Sequence, residues 1–280
     1  LTTRLPMNDL PLFHIAFYQF AHLANPDAVA TRLREITQEL QGSILVADEG
    51  INGMLSGTSE QLDSFEAQLR IDPLFNDHFK SIVFKRSECK STPFHKMKIH
   101  RKQEIVPLGI KGVDACDTGI DVPPHEWREL IQQDDVVVID NRNTFEYRLG
   151  RFENAIDPHV DNFRDFPSYI EQNLPKWQAD NKRIAMYCTG GIRCEKTSAW
   201  MKQLGVPVYQ LQGGILNYFL EMPDAEKDWH GECFVFDNRI ALDTHMQETE
   251  TTLEDVYSSH PDDEWRLARA RKLSGNAPVT

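Results

Sequence analysis

The sequence predicts an α/β protein of two domains, an N-terminal ferredoxin-like α+β domain followed by an α/β domain with a central parallel sheet. A chain of 280 residues is long enough for two domains of ordinary size. In its first part, strand-like and helix-like patterns follow one another in the order βαββαβ, which is typical of the ferredoxin-like sandwich. In its second part, continuous apolar runs alternate with helical patterns, as in sheets whose strands are buried on both faces.

The composition excludes several classes of protein. Apolar residues make up 40% of the chain and charged residues 26%, which is ordinary for a folded domain and unlike a disordered chain. The chain contains no run of about 18 apolar residues, so we expect no membrane partner. The first ten residues lack the apolar segment of a secretory signal, and five cysteines are an odd number that suits no disulfide framework. We therefore expect a cytoplasmic protein.

The net charge of −13 argues against a nucleic-acid partner in general, because phosphate binding needs local positive charge. The charge is uneven, however. One segment is strongly basic, contains a single acidic residue (Glu88), and is called the basic stripe below: Lys80, Lys85, Arg86, Lys90, Lys96, Lys98, Arg101 and Lys102. The segment Asp243–Glu264 is the reverse, since it has acidic residues and no Lys or Arg.

These patterns divide the chain into four segments. Residues 8–86 carry the ferredoxin-like pattern, and residues 122–225 carry the parallel α/β pattern. Between them, residues 87–121 lack periodicity and contain several prolines and glycines, which predicts a basic linker with short extended pieces. Residues 226–280 follow as a C-terminal extension with the acidic tail.

The first domain is predicted from alternating apolar residues around Phe13–Phe17 and from a capping box formed by Thr58 and Gln61. Its other elements are a helix over Pro26–Leu40 closed by Gly42, strands over Ser43–Ala47 and Met54–Ser56 around a turn at Asp48–Gly53, a helix with Leu62, Phe65 and Leu69, and a strand over Ser81–Arg86. Acylphosphatases share this topology, but their glycine-rich loop with its catalytic arginine is not visible here. The domain is either a scaffold or binding module, or a module that contacts nucleic acid through the basic stripe.

The second domain is predicted from strands and helices in alternation. The elements are a helix begun by Pro123-Pro124, a strand over Val136–Asp140, helices over Thr144–Leu149 and Phe163–Ile170, a strand over Ile184–Tyr187, a helix ending at Gly205, and a strand over Pro207–Leu211 followed by Gly213-Gly214. Such an order produces a parallel sheet with right-handed crossovers. Ligands bind sheets of this kind beyond the carboxyl ends of the strands.

The segment Cys188-Thr189-Gly190-Gly191-Ile192-Arg193 lies at such a strand end, before a helix. Two glycines allow the backbone N–H groups of the loop to turn inward and form an anion-binding nest. The helix N-terminus and the charge of Arg193 favour a negative charge at the same place. Because these features all stabilise a thiolate, Cys188 is predicted to be a nucleophile with a lowered pKa.

The length of this loop separates two kinds of chemistry. Protein tyrosine phosphatases place five residues between the cysteine and the arginine, which leaves room for a tetrahedral phosphate. Here the sixth position after Cys188 is Cys194, and Arg193 comes one residue earlier. The tighter ring favours a single sulfur atom or a small oxidant over a phosphate ester.

Asp140-x-Arg142, Glu146-Tyr147, Gly150, Ala155, the six-residue cysteine loop and Gly213-Gly214 resemble a rhodanese domain. The chain as a whole resembles the rhodanese-domain tRNA uridine(34) hydroxylase family, which makes 5-hydroxyuridine at the wobble position with molecular oxygen. The similar stretches are GSILVADEGINGMLSG (Gly42–Gly57), IDNRNTFEYRLGRFENAIDP (Ile139–Pro158), MYCTGGIRCEKTSAWM (Met186–Met201), LQGGILNYF (Leu211–Phe219) and HGECFVFDNRIAL (His230–Leu242). They extend over about residues 12 to 242.

The resemblance implies that Cys188 is the active-site cysteine and that Cys194 is the second cysteine of the motif, which is either a resolving thiol or a packing residue. We interpret Asp140, Arg142 and Glu146 as an ion-pair set that fixes the end of the sheet. A tight turn with positive φ alone would explain Gly50, Asn52 and Gly53. Many relatives carry a C-terminal cysteine cluster, but here Cys233 is the last cysteine and no C-x-x-C pair exists, so we expect no metal site.

The leading hypothesis is a tRNA-modifying oxidoreductase that acts on the anticodon loop. Molecular oxygen is the co-substrate by family resemblance, and no cofactor is evident. The residues expected to contact tRNA are Lys85, Lys90, Lys96, Lys98, Arg101 and Lys102, although a solvated linker would also be rich in lysine. The alternatives are a sulfurtransferase or persulfide carrier that uses the same loop, and a non-catalytic redox sensor, since the fold alone does not decide between them.

Overall fold

The computed structural model of the protein describes residues 11–258 and 260–274. The predicted domain start at residue 8 and the end of the predicted extension beyond residue 274 lie outside the described residues. Within them, the chain forms a five-stranded sheet in its N-terminal part and a four-stranded sheet in its central part. No helix of this described part is long and apolar enough to cross a membrane.

The N-terminal sheet consists of β1 (Leu12–Phe20), β2 (Gln41–Ala47), β3 (Gly50–Gly57), β4 (Phe84–Cys89) and β5 (Met97–Arg101). The strand order is β4-β1-β3-β2-β5, and the first four strands pair with their neighbours in antiparallel fashion. The order 4-1-3-2 is that of the ferredoxin-like sandwich, so the predicted fold class is confirmed. Strand β5 comes from the segment predicted as a linker and pairs with β2 in parallel.

Helices α1 (Pro26–Ile36) and α2 (Ser59–Ile71) cover one face of this sheet. Their apolar residues, such as Leu33 and Phe65, pack against Phe17 and Ile44 of the strands in a single cluster. The predicted capping box of α2 is present, because the Thr58 side chain accepts from the backbone of Gln61 and the Gln61 side chain accepts from the backbone of Thr58. The opposite face of the sheet is turned toward the second domain.

Three predicted boundaries in this domain are wrong. Helix α1 ends at Ile36 and not at Leu40, because the chain turns at Thr37, whose hydroxyl bonds to the Leu33 carbonyl oxygen. The predicted turn at residues 48–53 is only two residues long, and residues 50–53 are already strand. The last strand is β4, shifted three residues toward the C-terminus, since the 79–82 region forms a turn first.

The second domain is built on a parallel sheet of β6 (Ile120–Val122), β7 (Val136–Asp140), β9 (Arg183–Tyr187) and β10 (Val208–Leu211), in the order β6-β10-β9-β7. The predicted central parallel sheet is therefore confirmed. Its helices are α3 (Pro124–Leu130), α4 (Thr144–Leu149), α5 (Phe166–Ala179), α6 (Ile192–Gln203) and α7 (Gly214–Glu221). Two apolar clusters lie on its two faces, as expected for strands buried on both sides.

The C-terminal extension packs onto the second domain. Strand β11 (Trp229–Gly231) pairs with β8 (Gly150–Phe152), and β12 (Cys233–Phe234) pairs with β13 (Ala241–Leu242). The acidic tail includes α8 (Leu253–Tyr257) and leads into α9 (Glu264–Ser274). Apolar side chains of both helices join Phe145 of α4 in one cluster, so the tail covers the outer surface of α4.

Candidate active site

The cysteine loop connects β9 to α6. Cys188 follows the last residue of β9 directly, and α6 begins at Ile192. Gly191 is the residue before the helix and has a φ of +101°, a conformation that L-residues rarely adopt. A Cβ atom on Gly191 would also lie 2.7 Å from the hydroxyl oxygen of Tyr18. Glycine at this position therefore permits both the turn of the loop and its close contact with the N-terminal domain.

The start of α7 holds the other side of the loop. The backbone N–H of Ile215 donates to the Cys188 carbonyl oxygen at 3.0 Å, and that of Leu216 donates to the Thr189 carbonyl oxygen at 3.1 Å. Gly214 has a φ of +71°, and a Cβ atom there would come within 2.6 Å of both carbonyl oxygens. The lack of side chains at Gly213 and Gly214 thus allows α7 to begin in direct contact with the cysteine loop.

The sulfur of Cys188 is buried and surrounded by hydrogen-bond donors. The residue is 1% exposed, and the backbone N–H of Gly191 donates to its Sγ at 3.1 Å. Burial is the largest single influence on the pKa of Cys188, and it raises this pKa because it disfavours the charged thiolate. The hydrogen bond from the Cys194 thiol, the charge of Arg193 and the backbone N–H groups of Cys194 and Gly191 outweigh it together and lower the pKa of Cys188 to about 5. The loop therefore holds a thiolate at neutral pH.

Arg193 is fixed by a buried ion pair with Glu146 of α4. Its two terminal nitrogens lie 2.8 and 2.9 Å from the two carboxylate oxygens, which is a bidentate arrangement. Burial works against the charge of Glu146, but Arg193 and the backbone N–H of Asn143 hold the pKa of this carboxyl below its ordinary value. Glu146 thus orients the arginine, whose charge also acts on Cys188.

The other members of the predicted ion-pair set form a separate pair. The Arg142 guanidinium donates to both carboxylate oxygens of Asp140, at 2.8 and 2.6 Å, and both residues are buried. Tyr187 donates to the same carboxylate at 2.7 Å, and Arg142 also reaches the Gly150 carbonyl oxygen. This pair fixes the ends of β7 and β9 below the cysteine loop.

Cys194 is the second thiol of the site. It is 1% exposed and lies in the first turn of α6. The pKa of Cys194 is raised well above its ordinary value. The main cause is burial, followed by the hydrogen bond that the thiol donates to Cys188 and the negative charge of the Cys188 thiolate. The loop thus holds a thiolate and a protonated thiol side by side, a state in which only Cys188 is nucleophilic.

The N-terminal domain supplies a cation and a phenol to this site. Lys85 of β4 is 7% exposed, and its ammonium donates to the Gly190 carbonyl oxygen at 2.8 Å and lies 5.3 Å from the centre of the Tyr18 ring. Burial lowers the pKa of Lys85 to about 8, against the effect of the charges of Cys188 and Glu195. Burial also raises the pKa of Glu195, which interacts with the Tyr18 hydroxyl, to about 7.

A buried lysine of α6 joins the two domains a little further on. Lys196 is 1% exposed, and its ammonium lies 2.8 Å from a carboxylate oxygen of Glu49 and 2.6 Å from one of Glu104. It also donates to the Val106 carbonyl oxygen at 3.0 Å. Together with Lys85, this contact brings the face of the N-terminal sheet onto the cysteine loop.

The structure divides the six residues of the basic stripe that are predicted to contact tRNA into three groups. Lys85 is buried at the cysteine loop, and four lysines are exposed on the surface: Lys90, Lys96, Lys98 and Lys102. Arg101 is exposed but forms ion pairs with Asp27 and Asp48, at 2.8 and 3.2 Å. Lys85 is thus separated from the other five residues predicted to contact tRNA, because its side chain points inward from β4.

Three side chains of types that bind metals lie close together beside the site. The ligand atoms of His22, Asp114 and Cys116 are within 4.8 Å of one another, and all three residues are exposed. They line a cavity of about 290 Å³ together with Asp48 and Glu49. Sequence spacing alone does not reveal this group, because His22 follows β1 and is more than ninety residues away from Asp114 and Cys116 along the chain. The expectation that the protein has no metal site stays a prediction.

The fold and the loop define a rhodanese-domain protein with an acylphosphatase-like N-terminal domain. Two family models match the chain: the UPF0176 acylphosphatase like domain over residues 13–105 and the Rhodanese-like domain over residues 123–221. A tRNA uridine(34) hydroxylase of Legionella pneumophila (strain Corby) is 42% identical over 263 residues, which are 92% of this chain and 97% of the relative. The chain therefore belongs to the tRNA uridine(34) hydroxylase family.

A second relative and one solved structure are also similar to this chain. A tRNA uridine(34) hydroxylase of Acinetobacter baylyi is 44% identical over 236 residues, which are 83% of this chain and 73% of the relative. Among solved structures, a rhodanese-related protein from Thermoplasma volcanium is 24% identical and covers 37% of this chain and 93% of its own, with a TM-score of 0.28. The names of the relatives favour the hydroxylase hypothesis over the sulfurtransferase alternative.

Proposed function

We propose that this protein hydroxylates uridine 34 in the anticodon loop of tRNA to 5-hydroxyuridine, with molecular oxygen as co-substrate and Cys188 as the reacting residue. The observation that carries the proposal is the Cys188 thiolate, whose pKa is lowered to about 5 in a loop built to hold a negative charge. The family supports it, because its members are named for this activity. A cytoplasmic location would give the enzyme access to its tRNA.

The chemistry of uracil explains why a thiolate is useful. Carbon 6 of uracil is electrophilic because it is conjugated with the C4 carbonyl group, whereas carbon 5 is poorly reactive toward oxidants. Addition of the Cys188 thiolate at C6 would make C5 electron-rich and open it to an oxidant, and the thiolate would leave again when the ring regains its double bond. The charges of Arg193 and Lys85, which both act on the Cys188 thiolate, would also stabilise an anion that develops next to it in these steps.

The electron balance points to a role for Cys194. One atom of O₂ replaces the hydrogen at C5, and the other leaves as water, which requires two electrons and two protons. Oxidation of the Cys188 thiolate and the Cys194 thiol to a disulfide provides the two electrons and one proton, and solvent water provides the second proton. Uracil, O₂, a thiolate and a thiol thus become 5-hydroxyuracil, a disulfide and hydroxide. We propose that these two adjacent thiols are the electron donors and that an external thiol then reduces the disulfide.

The surface lysines are the proposed contacts to the tRNA backbone. Lys90, Lys96, Lys98 and Lys102 are exposed, and none of the ion pairs found in the described residues involves them. Unpaired surface cations are available to phosphate groups, and unpaired anticodon-loop bases can be turned out toward a protein site.

The decisive experiment measures modified nucleosides in tRNA by mass spectrometry. Cells that lack the gene are compared with cells supplied with the wild type, with Cys188→Ser or with Cys233→Ser, a control for a buried cysteine outside the loop. We expect 5-hydroxyuridine and its derivatives to disappear on deletion and to return with the wild type and Cys233→Ser only. Return of the modification with Cys188→Ser would contradict the proposal. Rapid thiocyanate formation from thiosulfate and cyanide would instead favour the sulfurtransferase.

A further inference from the structure

An exposed aromatic ring lies beside Arg193, the last residue of the cysteine loop. Phe236 is 52% exposed, and the part of the chain that the structure describes has only one other large exposed aromatic residue, Trp265. The ring centre of Phe236 is 6.0 Å from the guanidinium carbon of Arg193, the last residue of the loop. A flat apolar surface is thus in contact with solvent next to the cation of the candidate site.

The ring is fixed from behind by other aromatic residues. Phe234 packs against Phe236 edge to face, with the ring centres 5.0 Å apart and the planes at 87°. Phe234 in turn packs at 5.0 Å against Phe145 of α4, the helix that carries Glu146. The same helix therefore positions the ion pair of Arg193 and supports the exposed ring.

The turn that follows Phe236 is held by both domains. Asp237 accepts two hydrogen bonds from the Arg239 guanidinium, at 2.8 and 2.7 Å, and lies 3.4 Å from His14 of β1. Asn238 donates from its backbone to the Pro93 carbonyl oxygen at 3.2 Å. An exposed ring on a segment anchored in this way is preorganised, so a ligand would not have to order it on binding.

We propose that Phe236 is a stacking platform for an unpaired base of the RNA substrate at the mouth of the cysteine loop. This inference rests on the proposed function and deepens it by naming the surface that receives a base. Bases stack on aromatic side chains whatever their sequence, and the positive charge of Arg193 beside the ring attracts the electron-rich carbonyl oxygens of a pyrimidine. Pro93, which contacts the Phe236 turn, belongs to the same segment as the exposed Lys90 and Lys96. The backbone and the base would therefore be bound by adjacent surfaces.

The test uses an anticodon stem-loop RNA that carries the target uridine, with binding followed by fluorescence anisotropy and hydroxylation followed in single-turnover reactions. Four full-length variants are compared with the wild type: Phe236→Ala, Phe236→Leu, Phe236→Trp and Trp265→Ala. The last is a matched control, because Trp265 is also an exposed aromatic residue with an arginine, Arg266, 4.5 Å from its ring centre. The alkylation rate of Cys188 by iodoacetamide reports whether the loop itself stays intact.

We expect Phe236→Ala and Phe236→Leu to weaken RNA binding about tenfold or more, in line with the loss of one stacked base. Phe236→Trp and Trp265→Ala should bind as the wild type does, and the alkylation rate should change in none of the four. Binding by Phe236→Ala or Phe236→Leu that equals the wild type would overturn the proposal. A wild type that binds RNA through Phe236 but forms no 5-hydroxyuridine would instead contradict the proposed function and leave the stacking surface in place.

Discussion

The ammonium group of Lys85 donates a hydrogen bond to the Gly190 carbonyl oxygen at 2.8 Å, so that a side chain of the N-terminal domain contacts the loop of the second domain that carries Cys188. Lys85 is nearly buried, and its charge and that of Cys188 stabilise one another. The N-terminal domain is therefore part of the candidate site and more than a scaffold beside it. This relationship leads to the first two predictions.

Replacement of Lys85 by Gln should raise the pKa of Cys188. The substitution removes a cation beside the thiolate, and loss of one nearby opposite charge shifts a pKa by about one unit. The measurement is the pH dependence of iodoacetamide alkylation of the Cys188 peptide, followed by mass spectrometry. The midpoint should lie near pH 5 in the wild type and higher in Lys85→Gln. Lys98→Gln, an exposed lysine of β5, is the matched control, and a midpoint that is the same in all three proteins would contradict the prediction.

The rate of hydroxylation should depend on pH in a bell shape. It should rise with pH through about 5, where the Cys188 thiol loses its proton, and fall through about 8, where Lys85 loses its own. Single-turnover rates between pH 4.5 and 9.5 provide the measurement. In Lys85→Gln the decline near pH 8 should be absent, and a decline that persists there would assign it to another group.

Replacement of Glu146 by Gln should destabilise the protein, because it leaves the buried Arg193 guanidinium without its counter-charge. Breaking a buried ion pair in this way costs about 3 kcal/mol or more. Arg101→Gln, which breaks the exposed ion pairs with Asp27 and Asp48, should cost about 1 kcal/mol or less. Urea unfolding of the three proteins measures both effects.

The stability difference at Glu146 should also depend on pH. The pKa of Glu146 is lowered in the folded protein, so the pair contributes fully above the pKa of the unfolded chain. The contribution is lost as the pH falls through the folded-state pKa. The free energies of unfolding of the wild type and Glu146→Gln should therefore converge in acid, and a constant difference would contradict the assignment.

The cysteine loop was the part of the site that the sequence could predict, because its chemistry depends on neighbours along the chain. Strand, glycines, arginine and helix occur within a few residues of Cys188, so local geometry alone places them together. The fold class was predictable for the same reason, since hydrophobic periodicity is also local.

The partners from the other domain were not predictable in this way. Lys85 reads as one more lysine of a basic stripe, and only the register of β4 beside β1 turns it toward the loop. Tyr18 and Lys196 depend on the same docking of the two domains. The one sequence signal for the role of Lys85 is that a lysine occupies a position of β4 whose side chain faces inward. The role of Gly53 was also not predictable from the sequence pattern. Its lack of a side chain allows the Phe17 ring to pack against the backbone of β3, since a Cβ atom on residue 53 would lie 2.4 Å from that ring.

The exposed lysines of the basic stripe should account for much of the salt dependence of tRNA binding. Substitution of Lys90, Lys96, Lys98 and Lys102 by Ala removes four cations, and the slope of log K against log salt should fall by up to about 3 if all four contact phosphates. Arg101→Ala alone should change the slope little, because Asp27 and Asp48 already neutralise that side chain. Anisotropy titrations at several salt concentrations measure the slope, and an unchanged slope in the quadruple variant would remove these lysines from the interface.

Replacement of Cys194 by Ser should distinguish the role of Cys188 as the nucleophile from the role of the Cys188–Cys194 pair as the electron donor. Without external thiol, the wild type should complete one turnover and contain a Cys188–Cys194 disulfide, detectable by peptide mass spectrometry only after reaction with both tRNA and oxygen. Cys194→Ser should form little product under these conditions and regain turnover when dithiothreitol is added, because an external thiol can then supply the electrons. Cys233→Ser, which changes a buried cysteine outside the loop, should behave as the wild type. A Cys194→Ser variant that completes a turnover without added thiol would mean that the electrons come from elsewhere, and Cys194 would then be a packing residue that supports the thiolate through its hydrogen bond.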